Sequence, residues 1–341
     1  MKSNKPKVYI SKPVPPEVLA YLQEHCECRM WDGQGTASRQ QLLAELSEVE
    51  GLLMTGVPIN EELLDRAPKL RAVSTISVGY NHFDIEAMRA RGVIGTHTPY
   101  VLDDTVADLV LALMLSAARR IPELDAFVKQ GRWQRGQGLT DEDFFGFDVH
   151  HRTLGLIGMG RIGDAIAQRA VHGFGMQLLY HNRSRKPEAE ERFQAVYCEL
   201  DELLRRSDFV VMMTPLTPET TRMIRREHFD LMKPTAFFIN ASRGQTVDEA
   251  ALFDALQSGS IRGAGLDVFD PEPPRPDHPF FTLPNVVTLP HIGSATAATR
   301  LDMAMLAARN LVAALHASNR RTLYRNCSNR SSDNPKVRFS L

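Results

Sequence analysis

Short apolar runs alternate along the chain with longer stretches in which apolar residues recur every three or four positions. Runs at 8–11, 29–31, 52–55, 72–77 and 93–98 read as strands. The amphipathic stretches 17–25, 39–46, 60–67 and 84–91 read as helices between them. Such alternation predicts a parallel sheet with helices on both faces. A longer apolar helix is expected at about 105–120, with Asp103 and Asp104 as N-cap candidates and Pro122 just beyond its end. Its apolar residues run nearly all the way round, so it is expected to be buried between domains or subunits. The alternation then resumes, with strands at 153–157, 176–181, 208–214, 236–240, 263–268 and 286–289. An alanine-rich helix at 296–316 follows and is expected to return to the first unit. From 318 to 341 the chain is rich in Ser, Asn and Arg. That composition suits a mobile tail rather than a nucleic-acid arm, because no aromatic periodicity accompanies the basic residues.

Composition narrows the class without naming a chemistry. A chain of 341 residues is expected to form two domains, each with its own core. Hydrophobic content of 43% beside 24% charged residues is that of a soluble globular protein. A net charge of −1 gives no general attraction to nucleic acid or anionic membrane. The basic start of the chain lacks the apolar core of a signal peptide, and the apolar stretch 109–115 is too short to span a bilayer. A cytoplasmic location is therefore expected. Four cysteines make no disulfide framework, and Cys26 and Cys28 share a strand face with no second ligand pair to complete a zinc site. His150 and His151 are read as structural, and no metal is expected.

The segment Gly158-Met159-Gly160-Arg161-Ile162-Gly163 changes the picture. It follows the apolar strand 153–157 and leads into residues with helical spacing (Ile162, Ala165, Ile166 and Arg169). The first glycine permits a tight strand-to-helix turn, the second lets a pyrophosphate approach the backbone, and the third lets the helix pack closely on the sheet. The free amides and positive dipole end of the helix complete an anion site. Strand, motif, helix and following strand together predict a dinucleotide site. About 150 residues precede the motif, so another folding unit comes first.

The choice of dinucleotide is read from the end of the next strand. An acidic residue there would bind the adenosine ribose of NAD about twenty residues past the motif. Here the strand ends instead in Asn182-Arg183-Ser184-Arg185. Arg183 and Arg185 suit a 2′-phosphate, and Ser184 can donate a hydrogen bond to it, so NADPH is expected over NADH.

Three later segments end strands, where open α/β sheets place ligands: 238–244, 265–273 and 289–296. They carry Arg243, Asp267 with Glu272, and His291. In this order and beside a nucleotide site, they resemble the D-isomer-specific 2-hydroxyacid dehydrogenase family, over nearly the whole chain to about residue 316. The segments 75–80, 97–99, 104–108 and 149–151 are similar to its bacterial glyoxylate/hydroxypyruvate reductase and 2-ketogluconate reductase subgroup. The resemblance implies an α/β fold of two doubly wound parallel-sheet domains: a flavodoxin-like substrate domain, 1–104 plus 295–325, and an inserted Rossmann NAD(P)-binding domain, 105–294. The remainder, 326–341, is read as the tail. It also implies a cleft between the domains, a homodimer, and a catalytic triad of Arg243, Glu272 and His291.

The chemistry fits those residue types. Arg243 can hold the carboxylate and ketone oxygens of a 2-keto acid with one rigid fork of donors. Protonated His291 can donate the proton that quenches the developing alkoxide. Glu272 is expected to orient the imidazole and favour its charged form. Backbone N–H groups around Val78 and Gly79 are candidates for the substrate carboxylate, and Asp267 for the nicotinamide side or the charge balance of the site. By resemblance, Thr105, Thr214, Pro215, Thr220, Ala241, Ser242 and Gly293 join the glycine motif and 182–185 around the cofactor. Met54 to Val57 and Tyr100 are candidate pocket walls, and Phe144 and Phe145 could either reach a partner subunit or pack in the core.

Other readings share the fold. Formate dehydrogenases of the superfamily carry glutamine at the position of Glu272, so the glutamate argues against them. Phosphonate dehydrogenases keep a similar triad. A phosphoglycerate dehydrogenase would be expected to carry a regulatory domain. A nucleotide-sensing corepressor is the alternative of a different class, and turnover of small keto acids separates it from an enzyme.

Overall fold

A computed structural model describes residues 5–134 and 138–317. The segment 326–341, with Cys327, lies outside the described residues. The chain falls into two compact units, one running to Leu102 and resuming at Thr296, the other Asp103–Ala295. The breaks fall at 102/103 and 295/296, against 104/105 and 294/295 from the sequence.

The first unit is a five-stranded parallel sheet of β1 (Lys7–Ile10), β2 (Glu27–Met30), β3 (Gly51–Met54), β4 (Ala72–Thr75) and β5 (Ile94–Thr96). Its order, β2-β1-β3-β4-β5, is that of flavodoxin-like folds. The central strands β3 and β4 are buried along their whole length, which is why they read as continuous apolar or small-residue runs. Ser38, Asn60 and Asp84 cap the helices Arg39–Glu45, Glu61–Arg66 and Ile85–Ala90, each accepting a hydrogen bond from a first-turn amide. The helix Ala297–His316 packs on β3, β4, β5 and the helix Pro16–His25. Its buried Ala304, Ala307 and Ala308 let it lie close to the sheet, and Leu315 occupies the space that Gly51 leaves.

The second unit is a seven-stranded parallel sheet: β6 (Thr153–Ile157), β7 (Gln177–His181), β8 (Val196–Tyr197), β9 (Phe209–Met212), β10 (Phe237–Asn240), β11 (Gly263–Leu266) and β12 (Val286–Thr288). Read from one edge, the order is β8-β7-β6-β9-β10-β11-β12. This is the Rossmann order with a seventh strand, and its switch point lies between β6 and β9. The register decides where the chemistry falls. His181, Ile157, Met212, Asn240, Leu266 and Thr288 pair in one row across the sheet. The segments that follow these residues, and so the glycine motif and every triad residue, leave the sheet at its carboxyl edge.

Two expectations need correction. Asp103 and Asp104 do not precede their helix but form its first turn, since the helix spans Asp103–Ala118. Both carboxylates there favour the positive dipole end, and that of Asp103 accepts a hydrogen bond from Arg161 Nε at 3.2 Å. Second, the all-round apolar character of this helix has its cause inside its own unit. The helix packs against β10, β11, β12 and the helix Arg161–Phe174. The approach is close enough that a Cβ on Gly265 would stand 3.1 Å from Leu113 Cβ. Among the described residues no helix is long and apolar enough to cross a membrane.

Candidate active site

The three glycines of the motif meet three different surroundings. Gly158 has φ +107°, and a Cβ there would lie 2.7 Å from the Met213 carbonyl carbon, so the turn requires glycine. Gly163 faces the Gly158 carbonyl oxygen, 2.5 Å from where its Cβ would stand, which holds the helix Arg161–Phe174 tight on the turn. Gly160 is the N-cap, and a Cβ on it would meet nothing within 4 Å. The open space lies at the amino end of a 14-residue helix with no side-chain cap, the chemistry a pyrophosphate requires. Ile162 and Arg161 follow in the first turn, and Thr105 lies in the first turn of the helix Asp103–Ala118.

At the end of β7 the turn 182–186 is held by its own side chains. Asn182 Nδ2 donates to the Ser184 carbonyl at 3.0 Å. The Arg185 guanidinium grips both oxygens of Glu190, at 3.0 and 2.7 Å. Arg185 is thus partnered by Glu190, on the helix Pro187–Phe193, as half of a forked ion pair on the surface. Arg183 and Ser184 are exposed beside it. After β9, Thr220 Oγ1 donates to the Pro215 carbonyl at 2.7 Å and accepts from the Thr217 N–H, so Thr220 shapes this loop. Thr214 stands half-buried at the start of the same loop.

Arg243 leaves β10 on a turn pinned by Asn240. The Asn240 side chain accepts from Ser242 N–H and Oγ and donates to the Arg243 carbonyl, while Arg243 Nη1 donates to the Ser242 carbonyl at 2.6 Å. Ala241 lies half-buried between them. The next residue, Gly244, packs directly on the following loop, for a Cβ there would stand 2.1 Å from the Phe269 carbonyl carbon. This contact brings Arg243 to the segment that carries Glu272. Burial presses the Arg243 guanidinium below its usual range, against the opposing pull of Glu272.

Glu272 and His291 form the centre of the site. Glu272 Oε1 accepts from the Phe269 N–H at 3.0 Å, and Oε2 lies 2.7 Å from His291 Nδ1. Burial alone would raise the Glu272 carboxyl; the His291 hydrogen bond and charge, the Phe269 amide and Arg243 together bring it below the ordinary carboxylate range. An ionised carboxylate can only accept, so Nδ1 carries the hydrogen and Nε2 is the nitrogen left for chemistry. The side chains are 33% and 47% exposed, accessible to a small substrate.

Asp267 holds the histidine loop. Its side chain is buried, with Oδ1 accepting from the Ile292 N–H at 2.7 Å and Oδ2 from the Gly293 N–H at 2.8 Å. The two residues after His291 are thereby fixed, and His291 keeps a left-handed φ of +52°. Sequence reasoning placed Asp267 beside the cofactor and missed this clamp. Burial raises the Asp267 carboxyl, and the two amides and His291 offset part of that rise.

In the first unit, Val78 and Gly79 lie on the loop after β4. The hydrogen bonds of this loop use its carbonyl groups: Ser77 O accepts from the Thr98 N–H, Val78 O meets His97 Nδ1 at 2.8 Å, and Gly79 O accepts from Ser77 Oγ at 2.7 Å. Sequence reasoning named His97 only within the segment 97–99 and gave it no role. His151 packs its ring beside Gly175 and the His150 ring, and no group of three His, Cys, Asp or Glu among the described residues is arranged to hold a metal. Burial pushes the Cys26 thiol up to about 11 and that of Cys28 up to about 12, which makes both poor nucleophiles.

A Rossmann sheet with this Arg–Glu–His set defines a nicotinamide-dependent oxidoreductase of 2-hydroxy acids. The family model described as "D-isomer specific 2-hydroxyacid dehydrogenase, NAD binding domain" matches residues 111–293, and the chain belongs to that family. It is 50% identical over 325 residues to the glyoxylate/hydroxypyruvate reductase B of Klebsiella pneumoniae strain 342, covering 95% of this chain and 98% of the relative. Among solved structures, the TT0316 protein of Thermus thermophilus is 43% identical with a TM-score of 0.84, covering 91% of this chain and 96% of that one. The NADPH-dependent glyoxylate/hydroxypyruvate reductase of Sinorhizobium meliloti, solved with NADP and malonate, is 34% identical with a TM-score of 0.82. It covers 93% of this chain and 95% of its own.

Proposed function

We propose that this enzyme reduces short 2-keto acids, glyoxylate and hydroxypyruvate first and 2-ketogluconate as a larger candidate, to D-2-hydroxy acids, with NADPH preferred over NADH. The observation that carries this reading is the 2.7 Å contact of an ionised Glu272 with His291, beside a half-buried Arg243 at the carboxyl edge of a Rossmann sheet. The relatives named as glyoxylate/hydroxypyruvate reductases support the substrate class.

When bound, NADPH supplies the hydride that reduces the ketone carbon. The cofactor pyrophosphate is assigned to the amides at Gly160–Gly163 and the 2′-phosphate to Arg183 and Ser184. Arg243 holds the substrate carboxylate and ketone oxygen in one plane, and its partial desolvation strengthens both contacts. His291 gives its Nε2 proton to the oxygen as negative charge develops there. Glu272 keeps Nδ1 protonated and the ring oriented, and Asp267 holds the loop that presents it. Val78 and Gly79, whose loop commits its carbonyls internally, are proposed for the substrate carboxylate.

Initial rates with NADPH and NADH on the three keto acids test the reading directly. Arg183→Ala is expected to lower the NADPH-to-NADH ratio of kcat/KM by roughly tenfold to a hundredfold, the size of one charge-assisted hydrogen bond. An unchanged ratio removes Arg183 from phosphate recognition. Tight NADPH binding without turnover of any keto acid would favour a nucleotide sensor. We also propose a homodimer, on the exposed apolar side chains of Ile121, Val128, Trp133 and Phe145, which lie close together in sequence. Light scattering should give twice the chain mass, and a mass of one chain would overturn the dimer.

A further inference from the structure

We infer that Tyr180 and Glu190 are positioning residues for the 2′-phosphate, holding the turn 182–186 in the shape that presents Arg183 and Ser184. This rests on the NADPH reading above and adds what makes the turn selective. Tyr180 is fully buried in β7, yet its hydroxyl makes two hydrogen bonds at the far side of the turn. It donates to Glu190 Oε1 at 2.6 Å and accepts from the Lys186 N–H at 2.7 Å. Glu190 in turn takes the Arg185 fork on both oxygens. The turn is thus fastened at three points: Asn182 to the Ser184 carbonyl, Arg185 to Glu190, and the Lys186 amide to Tyr180. The Gly158 N–H donates to the His181 carbonyl at 3.0 Å, which ties the start of the turn to the glycine motif.

The charge logic follows from the pairing. A carboxylate beside a phosphate would normally repel it, but the Glu190 charge is already matched by Arg185 through two hydrogen bonds. With that charge neutralised, Arg183 contributes the attraction. The buried hydroxyl of Tyr180 is the anchor, because it has no role in packing that phenylalanine would not fill equally well. Losing it leaves the Lys186 amide without its partner and frees the amino end of the helix Pro187–Phe193, the outer limb of the turn.

Equilibrium binding separates this role from general structure. In titration calorimetry, Tyr180→Phe, which removes both hydrogen bonds of the hydroxyl, is expected to weaken NADP⁺ by about fivefold to tenfold, while NAD⁺ changes by less than about twofold. Glu190→Ala is expected to act in the same direction. Equal losses for both dinucleotides, or none for NADP⁺, would overturn the inference. So would tighter NADP⁺ binding by Glu190→Ala, since Arg185 would then have been withheld from the phosphate by its partner. Should the native enzyme bind NADP⁺ no more tightly than NAD⁺, the NADPH reading itself fails. Should Arg183→Ala abolish the preference while Tyr180→Phe keeps it, only the positioning role fails.

Discussion

Replacing His291 by alanine is expected to lower keto acid reduction by about 10²–10⁴-fold, the usual contribution of a positioned general acid, while cofactor affinity stays within about twofold. The fold should survive the change, because the loop is held from the next two amides by Asp267 and not by the imidazole. The pH dependence has a definite sign. The Glu272 carboxyl lies below the ordinary carboxylate range, for burial, which alone would raise it, is outweighed by the His291 hydrogen bond and charge. It is therefore ionised throughout the neutral range and favours the protonated ring through the same contact. Reduction consumes that proton, so the rate should fall on the alkaline side and oxidation of the hydroxy acid should rise there. Glu272→Gln keeps the shape and removes the charge, and the alkaline limb of reduction should then lie at lower pH. A stationary limb would mean that Glu272 only orients the ring. Normal turnover by the alanine variant would mean that the proton comes from solvent.

What the sequence made legible was the part of the site that strand ends dictate. Gly158 and Gly163 stand where a Cβ would collide with backbone, while Gly160 faces open space at the helix N-terminus. Arg243, Glu272 and His291 could be found because each lies on the segment that follows an apolar strand, and a parallel sheet in common register delivers all such segments to one edge. The pairings that cross loop and helix boundaries stayed hidden. Nothing in Asn182-Arg183-Ser184-Arg185 says that Arg185 rather than Arg183 pairs with Glu190, since the partner sits five residues on, past Pro187. The double amide clamp of Asp267 depends on a loop more than twenty positions away. The helix Asp103–Ala118 misled for a related reason: sheet and neighbouring helix both bury it, and periodicity cannot say whose surfaces do so. The two-residue strand β8 is too short to show any period at all.

Arg243→Ala is expected to lower kcat/KM for keto acids by about 10²–10⁴-fold, the range for losing two charge-assisted hydrogen bonds at about 1.5–3 kcal/mol each. The loss should divide between the two constants. Holding the substrate carboxylate acts in both ground and transition states and appears in KM; stabilising the ketone oxygen as it gains charge acts only in the transition state and appears in kcat. Lysine at this position keeps the charge but not the planar fork, so Arg243→Lys should recover part of KM and little of kcat. The turn itself should persist in both variants. Asn240 holds it through Ser242 and through the Arg243 carbonyl, which any residue supplies, and Gly244 still packs on the Phe269 backbone. Steady-state kinetics on glyoxylate, with thermal denaturation as the control for folding, reads both constants. A rise in KM alone would reduce Arg243 to a binding residue, and unchanged kinetics would take it out of the mechanism and leave its place beside Glu272 to charge balance.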